Sequence, residues 1–413
     1  MYYLMNKDKT VALLDVSQSF SPSKNGRFRV IEQYDKMPIG CEGIDAWIDG
    51  RKSSKYNAHL KAVMNQMGCN TNEGFAQVTH AATINDTFWI KSDKENVTWN
   101  QVSLYRNEFS KSVSKLVFEG IGLCETVLSL TSPELTSEGS FRKCFRKENA
   151  VGEFSSDIFI YKRGYVMQGD MALGLGNEPY CEMMSSEIAK IISPNNSVRY
   201  DLTEFHGSLA SRCNLFTNEQ YGYAPFSRAY NMKTYTLDDA FDFYCSIDSE
   251  QEFREMLVID SLCFNQDRHA GNFGVIFNND TLQIEKIAPV FDLNKSLLAY
   301  VEDSEFKCIG DKLYNYIPKL GDDFVSLGQA AMNDRIRDRV KDLKDFTFSF
   351  QGDDHFSKKR VQAIENIVRT QAKAILSKEN LIITDVFYSP KAVKEQEFAK
   401  KIPIFSKMFT SSF

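Results

Sequence analysis

Leu262-Cys-Phe-Asn-Gln-Asp-Arg-His-Ala-Gly-Asn-Phe-Gly274, followed by Ala288-Pro-Val-Phe-Asp-Leu293, is the stretch on which the fold turns. An apolar run, Phe253 to Phe264, leads into it. Its hydrophobic residues fall on more than one helical face, so a helix central to a lobe is expected there. Ser249 followed by Glu252 predicts a capping box at its start. The polar loop Asn265 to Gly271 ends the helix. A hairpin comes next: Phe273 to Phe277, a turn at Asn278-Asn-Asp280, and Leu282 to Ile287. An Asp with an Asn five positions later can supply a base and a metal ligand from one turning loop. The hairpin can bring Asp292 back beside Asn272. Phosphoryl transfer asks for such a set: a carboxylate near the attacking hydroxyl, and hard oxygen ligands for magnesium beside nucleotide phosphates. Taken alone, the spacing also suits a plain polar loop before an Asn-rich hairpin.

Upstream, Asp157-Ile-Phe-Ile-Tyr-Lys162 alternates with the two-residue period of a strand, placing Ile158, Ile160 and Lys162 on one face. A helix is expected from Pro179 to Ile192, with Met183, Ile188, Ile191 and Ile192 on its apolar side and Glu182 and Glu187 interrupting it. Pro194 and Asn195-Asn196 stop it. Strands are expected at Ser197 to Leu202 and Leu209 to Phe216. Downstream, Phe356, Val361, Ile364, Ile367, Val368, Ala372, Ile375 and Leu376 form an amphipathic series. Residues 381–413 read as a tail broken by Pro390 and Pro403.

The N-terminal end reads as a strand, a turn at Asn6 to Lys9 and a second strand to Val16. A helix is expected from Asn57 to Met67. The runs Asp86 to Ile90 and Val97 to Tyr105 carry Trp89, Trp99 and Tyr105. Such aromatics serve as core anchors, with a ligand groove as the alternative. Ser129 to Gly139 is rich in Ser, Thr, Glu and Pro and reads as a loop.

Composition sets outer bounds. The 413 residues include 49 Lys plus Arg and 55 Asp plus Glu, for a net charge of −6, with 43% hydrophobic residues. This is globular, not disordered, and large enough for two lobes and an accessory region. The acidic balance argues against a general polyanion binder, so no direct nucleic-acid binding is expected. Nine dispersed cysteines, with no CxxC pair, suit reduced thiols. No HExxH or Cys/His zinc spacing exists. No apolar run approaches the ~20 residues that span a bilayer. The N-terminus also lacks a long apolar stretch and a cleavage site, so no membrane association is expected and the cytoplasm is the default location.

The two quoted segments resemble the catalytic loop and the magnesium-binding segment of HipA-like serine/threonine kinases. That resemblance implies an α+β, bilobal protein-kinase-like fold. A sheet-rich N-lobe would span residues 121–218 and a mostly helical C-lobe 219–380, with an accessory α/β region at 1–120 and an extension at 381–413. It implies Asp267 as catalytic base, with Asn272 and Asp292 holding Mg2+ against the phosphates of ATP. His269 would brace the loop rather than transfer protons. Phe159-Ile-Tyr-Lys-Arg-Gly164 resembles the strand that supplies an ATP-contacting lysine, here Lys162, with Arg163 as competitor. Glu182-Met-Met-Ser-Ser-Glu-Ile-Ala-Lys190 resembles the helix whose glutamate orients that lysine. Glu182 fits the family spacing, and Glu187 stays open because helix register is uncertain. Gly139-Ser-Phe-Arg-Lys143 is the nearest match to the phosphate-covering stretch, giving Gly139, Ser140 and Lys143 as further ATP contacts.

Departures from eukaryotic kinases are plain: no GxGxxG precedes the lysine strand, Leu293 and Asn294 follow Asp292, and His269 follows Arg268. The resemblance further implies a protein substrate. It also brings a growth-inhibiting toxin role with an antitoxin partner, as in relatives of this kind. Alternatives are a small-molecule kinase or AMP transferase of the same fold, and a kinase-like scaffold with little chemistry.

Overall fold

The computed structural model describes residues 1–17, 27–53, 64–65, 68–119, 132–137, 142–148, 157–164, 175–232 and 234–387. Near the N-terminus β1 (Tyr2–Asn6), β2 (Lys9–Ser17), β3 (Arg27–Gln33) and β4 (Phe88–Ser92) form an antiparallel sheet in the order β3-β2-β1-β4. Alternation buries Tyr2 and Leu4 of β1 and their partners Leu14 and Ala12 of β2 on one face, in a core shared with α1 (Ile44–Asp49) and α2 (Asn72–Thr79). The helix expected at Asn57–Met67 falls almost wholly outside the described residues, where only Met64 and Asn65 are helical. Next come α3 (Trp99–Val102) and α4 (Lys111–Glu119). Trp89 and Trp99 are fully buried, and their indole N–H groups donate to Lys7 O and Glu219 Oε1, each at 2.7 Å. They anchor the core, as their size favours.

A second antiparallel sheet is built from β5 (Lys143–Lys147), β6 (Ile158–Arg163), β7 (Asp201–Phe205) and β8 (Ser208–Asn214), in the order β5-β6-β8-β7. Between β6 and β7 runs α5 (Glu178–Ile192), close to the expected bounds. The strand expected at Ser197–Leu202 is displaced. Ser197 makes only an isolated parallel bridge to Val290, and Val198 N–H donates to Val290 O at 2.9 Å. Those residues follow the segment that leads to Asp292 rather than the sheet, and the strand proper starts at Asp201. The expected strand to Phe216 stops at Asn214.

A third sheet, ordered β11-β10-β9, holds β9 (Tyr221–Pro225), β10 (Gly274–Asn278) and β11 (Ile284–Ile287). The last two are the expected hairpin. The remainder is helical: α6 (Phe226–Ala229), α7 (Leu237–Ser246), α8 (Glu250–Cys263), α9 (Ile309–Leu313), α10 (Phe324–Ala331), α11 (Asp334–Lys341), α12 (Lys358–Leu376) and α13 (Ile383–Phe387). Residues Phe253 to Cys263 of α8 are buried in the main core, except half-buried Arg254. α12 lays Val361, Ile364, Val368 and Ile375 into the same core. The expected capping box at Ser249 and Glu252 does not form. Ser249 is the N-cap residue, but its hydroxyl accepts from Ile287 N–H at 3.0 Å and donates to Ile247 O at 3.3 Å, fastening the hairpin to the helix. All eight described cysteines are free. Among the described residues no helix is long and apolar enough to cross a membrane. The architecture is therefore the expected α+β one: a sheet-rich lobe, a helical lobe and an N-terminal α/β region.

That N-terminal region touches both lobes and the chain between them. Lys147 Nζ donates to Tyr105 O at 2.6 Å on the sheet side. In the linking segment, Thr217 Oγ1 donates to Ile84 O at 2.5 Å, and Glu219 accepts from Trp99, Ser103 and both Nε and Nη2 of Arg106. On the helical side, Asn6 Nδ2 donates to Asn279 O at 2.7 Å and Lys7 pairs with Asp280 at 2.6 Å. Packing is tight where the three meet. A Cβ on Gly222 would lie 2.6 Å from Asn279 Oδ1 and 2.8 Å from Asn85 O, so only glycine fits there.

Candidate active site

The cleft is set by strand alternation. On β6 the even positions Ile160 and Lys162 face it, while Phe159 and Tyr161 pack behind the sheet with Phe118 and Phe205. On β5, Lys143 and Phe145 face the same way, and Lys143 stands directly opposite Lys162 in the strand pairing. The helical side contributes Asp267, His269, Asn272 and Asp292 to a cavity of about 250 Å³. This lies near the lower end of the range of ligand pockets.

Lys162 is the junction. Its Nζ donates to Glu182 Oε1 and to Asp292 Oδ1, each at 2.7 Å, and it lies 5.4 Å from the centre of the Tyr200 ring. Glu182 is fully buried on α5, and its Oε2 accepts from Ser211 Oγ at 2.5 Å. Glu187 lies elsewhere: its carboxylate accepts from Ser349 N–H at 2.9 Å and Oγ at 2.6 Å. Arg163 points away as well, with Nη1 donating to Phe118 O at 3.4 Å. Of the two candidate pairs, Lys162 and Glu182 are the ones that meet.

The charges resolve unequally. Burial raises the Glu182 carboxyl, and Lys162 only partly opposes it. Burial also works against Asp292, but Lys162, then Lys143 and Arg268, outweigh it and hold that carboxyl below its ordinary value. Burial alone would lower Lys162; the two carboxylates overcome it and keep the ammonium charged well above its usual range. Asp292 sits at φ 57°, a left-handed conformation uncommon for residues with a side chain, and its N–H donates to Tyr200 OH at 3.2 Å.

Beneath the loop lies a second pair. Arg268 is buried and grips Asp260 with two parallel bonds, Nε to Oδ2 at 2.8 Å and Nη2 to Oδ1 at 2.9 Å. Its Nη1 donates to Asn272 O at 2.7 Å and to Phe291 O at 2.8 Å. One guanidinium thus ties helix α8, the loop and the segment carrying Asp292. Asn265 Nδ2 adds a 2.8 Å bond to Asp260 Oδ1. Asn272 Nδ2 donates to Asp267 O at 3.0 Å, which leaves the amide oxygen for another partner. His269 accepts at Nδ1 from Gly271 N–H at 3.1 Å and donates its own N–H to Asp267 O at 2.8 Å. These are bonds that shape the turn. Asp267 Oδ2 is paired with Lys295 Nζ at 2.8 Å.

Lys143, Lys162, Asp267, His269, Asn272 and Asp292 line one cleft, and Glu182 meets Lys162 behind it. Gly139 and Ser140 lie outside the described residues. Sequence reasoning missed Lys295, Tyr200, Ser211 and the wall residues Ile84 and Asn85. It also passed over Asp260, although a lone carboxylate in Leu257-Val-Ile-Asp-Ser-Leu-Cys263 is a signal, since a buried charge needs a partner. Chemically, the cleft opposes two lysines to two carboxylates and an amide oxygen. That donor set suits a polyphosphate on one side and a hard divalent cation such as Mg2+ on the other.

No family model and no curated protein matches the chain. Solved structures do. One is the Helicobacter pylori proinflammatory kinase CtkA, 19% identical, covering 62% of this chain and 92% of its own at a TM-score of 0.42. Another is HipA of Shewanella oneidensis MR-1 in complex with HipB and operator DNA, 11% identical, covering 94% of this chain and 99% of its own at a TM-score of 0.48. Both are distant likenesses.

Proposed function

We propose that the chain is an ATP- and Mg2+-dependent kinase that transfers the γ-phosphoryl group to a serine or threonine hydroxyl of a protein. The observation that carries this is Lys162 bridging Glu182 and Asp292, with Asp267 and Asn272 at the same cleft. In this reading residues 121–218 and 219–380 are the two lobes, with 1–120 an accessory region and 381–413 an extension.

Lys162, oriented by Glu182, and Lys143 neutralise phosphate charge from the sheet side. Asn272 and Asp292 are the residues to hold Mg2+, which when bound neutralises charge on the transferring group. Asp267 accepts the proton of the attacking hydroxyl. His269 holds the turn between Asp267 and Asn272 in shape. The protein acceptor, the toxin role and the antitoxin partner come from the motif resemblance. A small-molecule acceptor or AMP transfer would use the same cleft, and the mass added to the product distinguishes them.

The test is incubation of the purified chain with γ-labelled ATP, Mg2+ and a host lysate, with D267A alongside. Labelled protein bands that disappear in D267A are the expected outcome. Equal labelling by both removes Asp267 as the base. Intact ATP after incubation with the wild type removes the kinase reading, and with it the scaffold becomes the better account.

A further inference from the structure

We propose that Lys295 is a catalytic residue, whose ammonium is held on Asp267 before reaction and contacts the phosphoryl group as it is transferred. The inference rests on the kinase reading above and adds a residue that neither the motif nor the spacing indicates.

The geometry is specific. Lys295 Nζ lies 2.8 Å from Asp267 Oδ2, and both side chains retain partial exposure, 30% and 20%. The backbone on either side is fixed, because Leu293, Asn294, Ser296 and Leu297 are all buried. Leu297 N–H donates to Cys263 O at 2.7 Å, pinning the segment to the end of α8. Leu297 and Leu298 both take positive φ, 47° and 59°, so the chain bends sharply just past the lysine. A long, flexible side chain therefore leaves a rigid segment and ends on the carboxylate expected to take the proton.

A cation resting on Asp267 alone would do nothing for the group being transferred. It becomes useful if its charge serves a second group at the moment of transfer. In a phosphoryl transfer the moving group lies between the incoming hydroxyl and the departing diphosphate, with negative charge spread over three equatorial oxygens. Asp267 fixes the hydroxyl end. Lys162 is engaged by two carboxylates and Arg268 is enclosed with Asp260, so neither serves the hydroxyl end. Lys295 is paired with Asp267 at that end, and an ammonium with three donors on a four-carbon stem can hold a carboxylate and a phosphoryl oxygen together.

The bookkeeping closes without a co-reactant. The hydroxyl oxygen bonds to the γ-phosphorus, and the bond from that phosphorus to the bridging oxygen breaks with its electron pair left on ADP. The hydroxyl proton passes to Asp267. Lys295 neither gains nor loses a proton and contributes charge alone.

The test compares wild type with K295M, K295Q and K295R, reading steady-state kcat and KM for ATP together with Mg2+–ATP affinity by calorimetry. K295M and K295Q are expected to lose about a hundredfold in kcat, the scale for one lost transition-state donor. Their Mg2+–ATP affinity is expected to stay within about threefold, because the interaction is made in the transition state. K295R, which keeps the charge, should recover about a tenfold part of the loss. A kcat within about threefold of wild type in K295M or K295Q overturns the proposal. So does a loss matched by an equal loss of ATP affinity, or no rescue by K295R. An inactive wild type instead overturns the kinase reading, and this inference falls with it.

Discussion

Arg268 with Asp260, and Lys162 with Glu182 and Asp292, bind the chain at adjacent residues, Phe291 and Asp292, and solve the burial of charge differently. In the first, one cation meets one carboxylate through two parallel bonds, and the two Nη1 N–H groups go to Asn272 O and Phe291 O. Both side chains are almost fully enclosed. In the second, one ammonium is shared by two carboxylates, and Asp292 keeps 24% of its side chain open to the cleft. The enclosed pair is balanced and gains nothing from a ligand. The shared one leaves Asp292 partly open to the cleft, where its carboxylate is accessible to a ligand. Closed pairs hold a site's shape; open, unbalanced ones face what binds.

The hardest strain on this contrast is D260A. It leaves the Arg268 charge buried and unpaired, so the unfolding free energy should drop by about 3–5 kcal/mol in chemical denaturation. Turnover should fall as well, because Arg268 positions both Asn272 and Asp292. D292N addresses the open cluster. ATP turnover should fall on the order of a thousandfold, the upper part of the range for losing one electrostatic contact to the reacting group. Its effect on stability should be much smaller than that of D260A. The sign with pH is definite. The Asp292 carboxyl is held below its ordinary value of 3.8, so the stability it contributes is present above that pH and lost as pH falls further.

Glu134 supplies a third case, a buried carboxyl held by neutral donors: it accepts from Ser114 Oγ at 2.5 Å and Phe145 N–H at 3.1 Å. Burial pushes it up from 4.5 to about 7, despite those bonds. A raised carboxyl stabilises the fold below its ordinary pKa and loses that contribution as pH rises through the raised one. Wild type should therefore lose on the order of 3 kcal/mol relative to E134Q between pH 4.5 and 8. Unfolding both proteins across that range measures it, and parallel curves would show that Glu134 ionises without penalty.

The open cluster was legible through the motif resemblance. Spacing alone left Asp267, Asn272 and Asp292 open between a site and a plain polar loop, and the resemblance chose Lys162 over Arg163. Glu182 needed the fold, since its burial and its bonds to Lys162 and Ser211 are what separate it from Glu187, which binds Ser349 instead. The closed pair went unread: Asp260 carried a signal as a lone carboxylate in an apolar run, but nothing local joined it to Arg268. Tyr200 and Asn85 line the cleft, and Lys295 pairs with Asp267 beside it, from segments whose own patterns carry no trace of it. The strand expected at Ser197 failed for a related reason. Local pattern registers an extended chain but not which neighbour it pairs with, and here Val290 outcompeted the sheet. Likewise the Ser249 hydroxyl found Ile287 rather than the turn beginning its own helix.

The N-terminal region crosses from the sheet to the helical side through Tyr105, Ile84, Glu219 and Asn6. It works as a splint across a joint. Trimming it away would strip the cavity of two of its wall residues, Ile84 and Asn85, and leave Thr217, Glu219 and Asn279 without their mates. A shortened chain would thus be a different pocket on a looser frame, and whatever it bound would say little about the intact molecule.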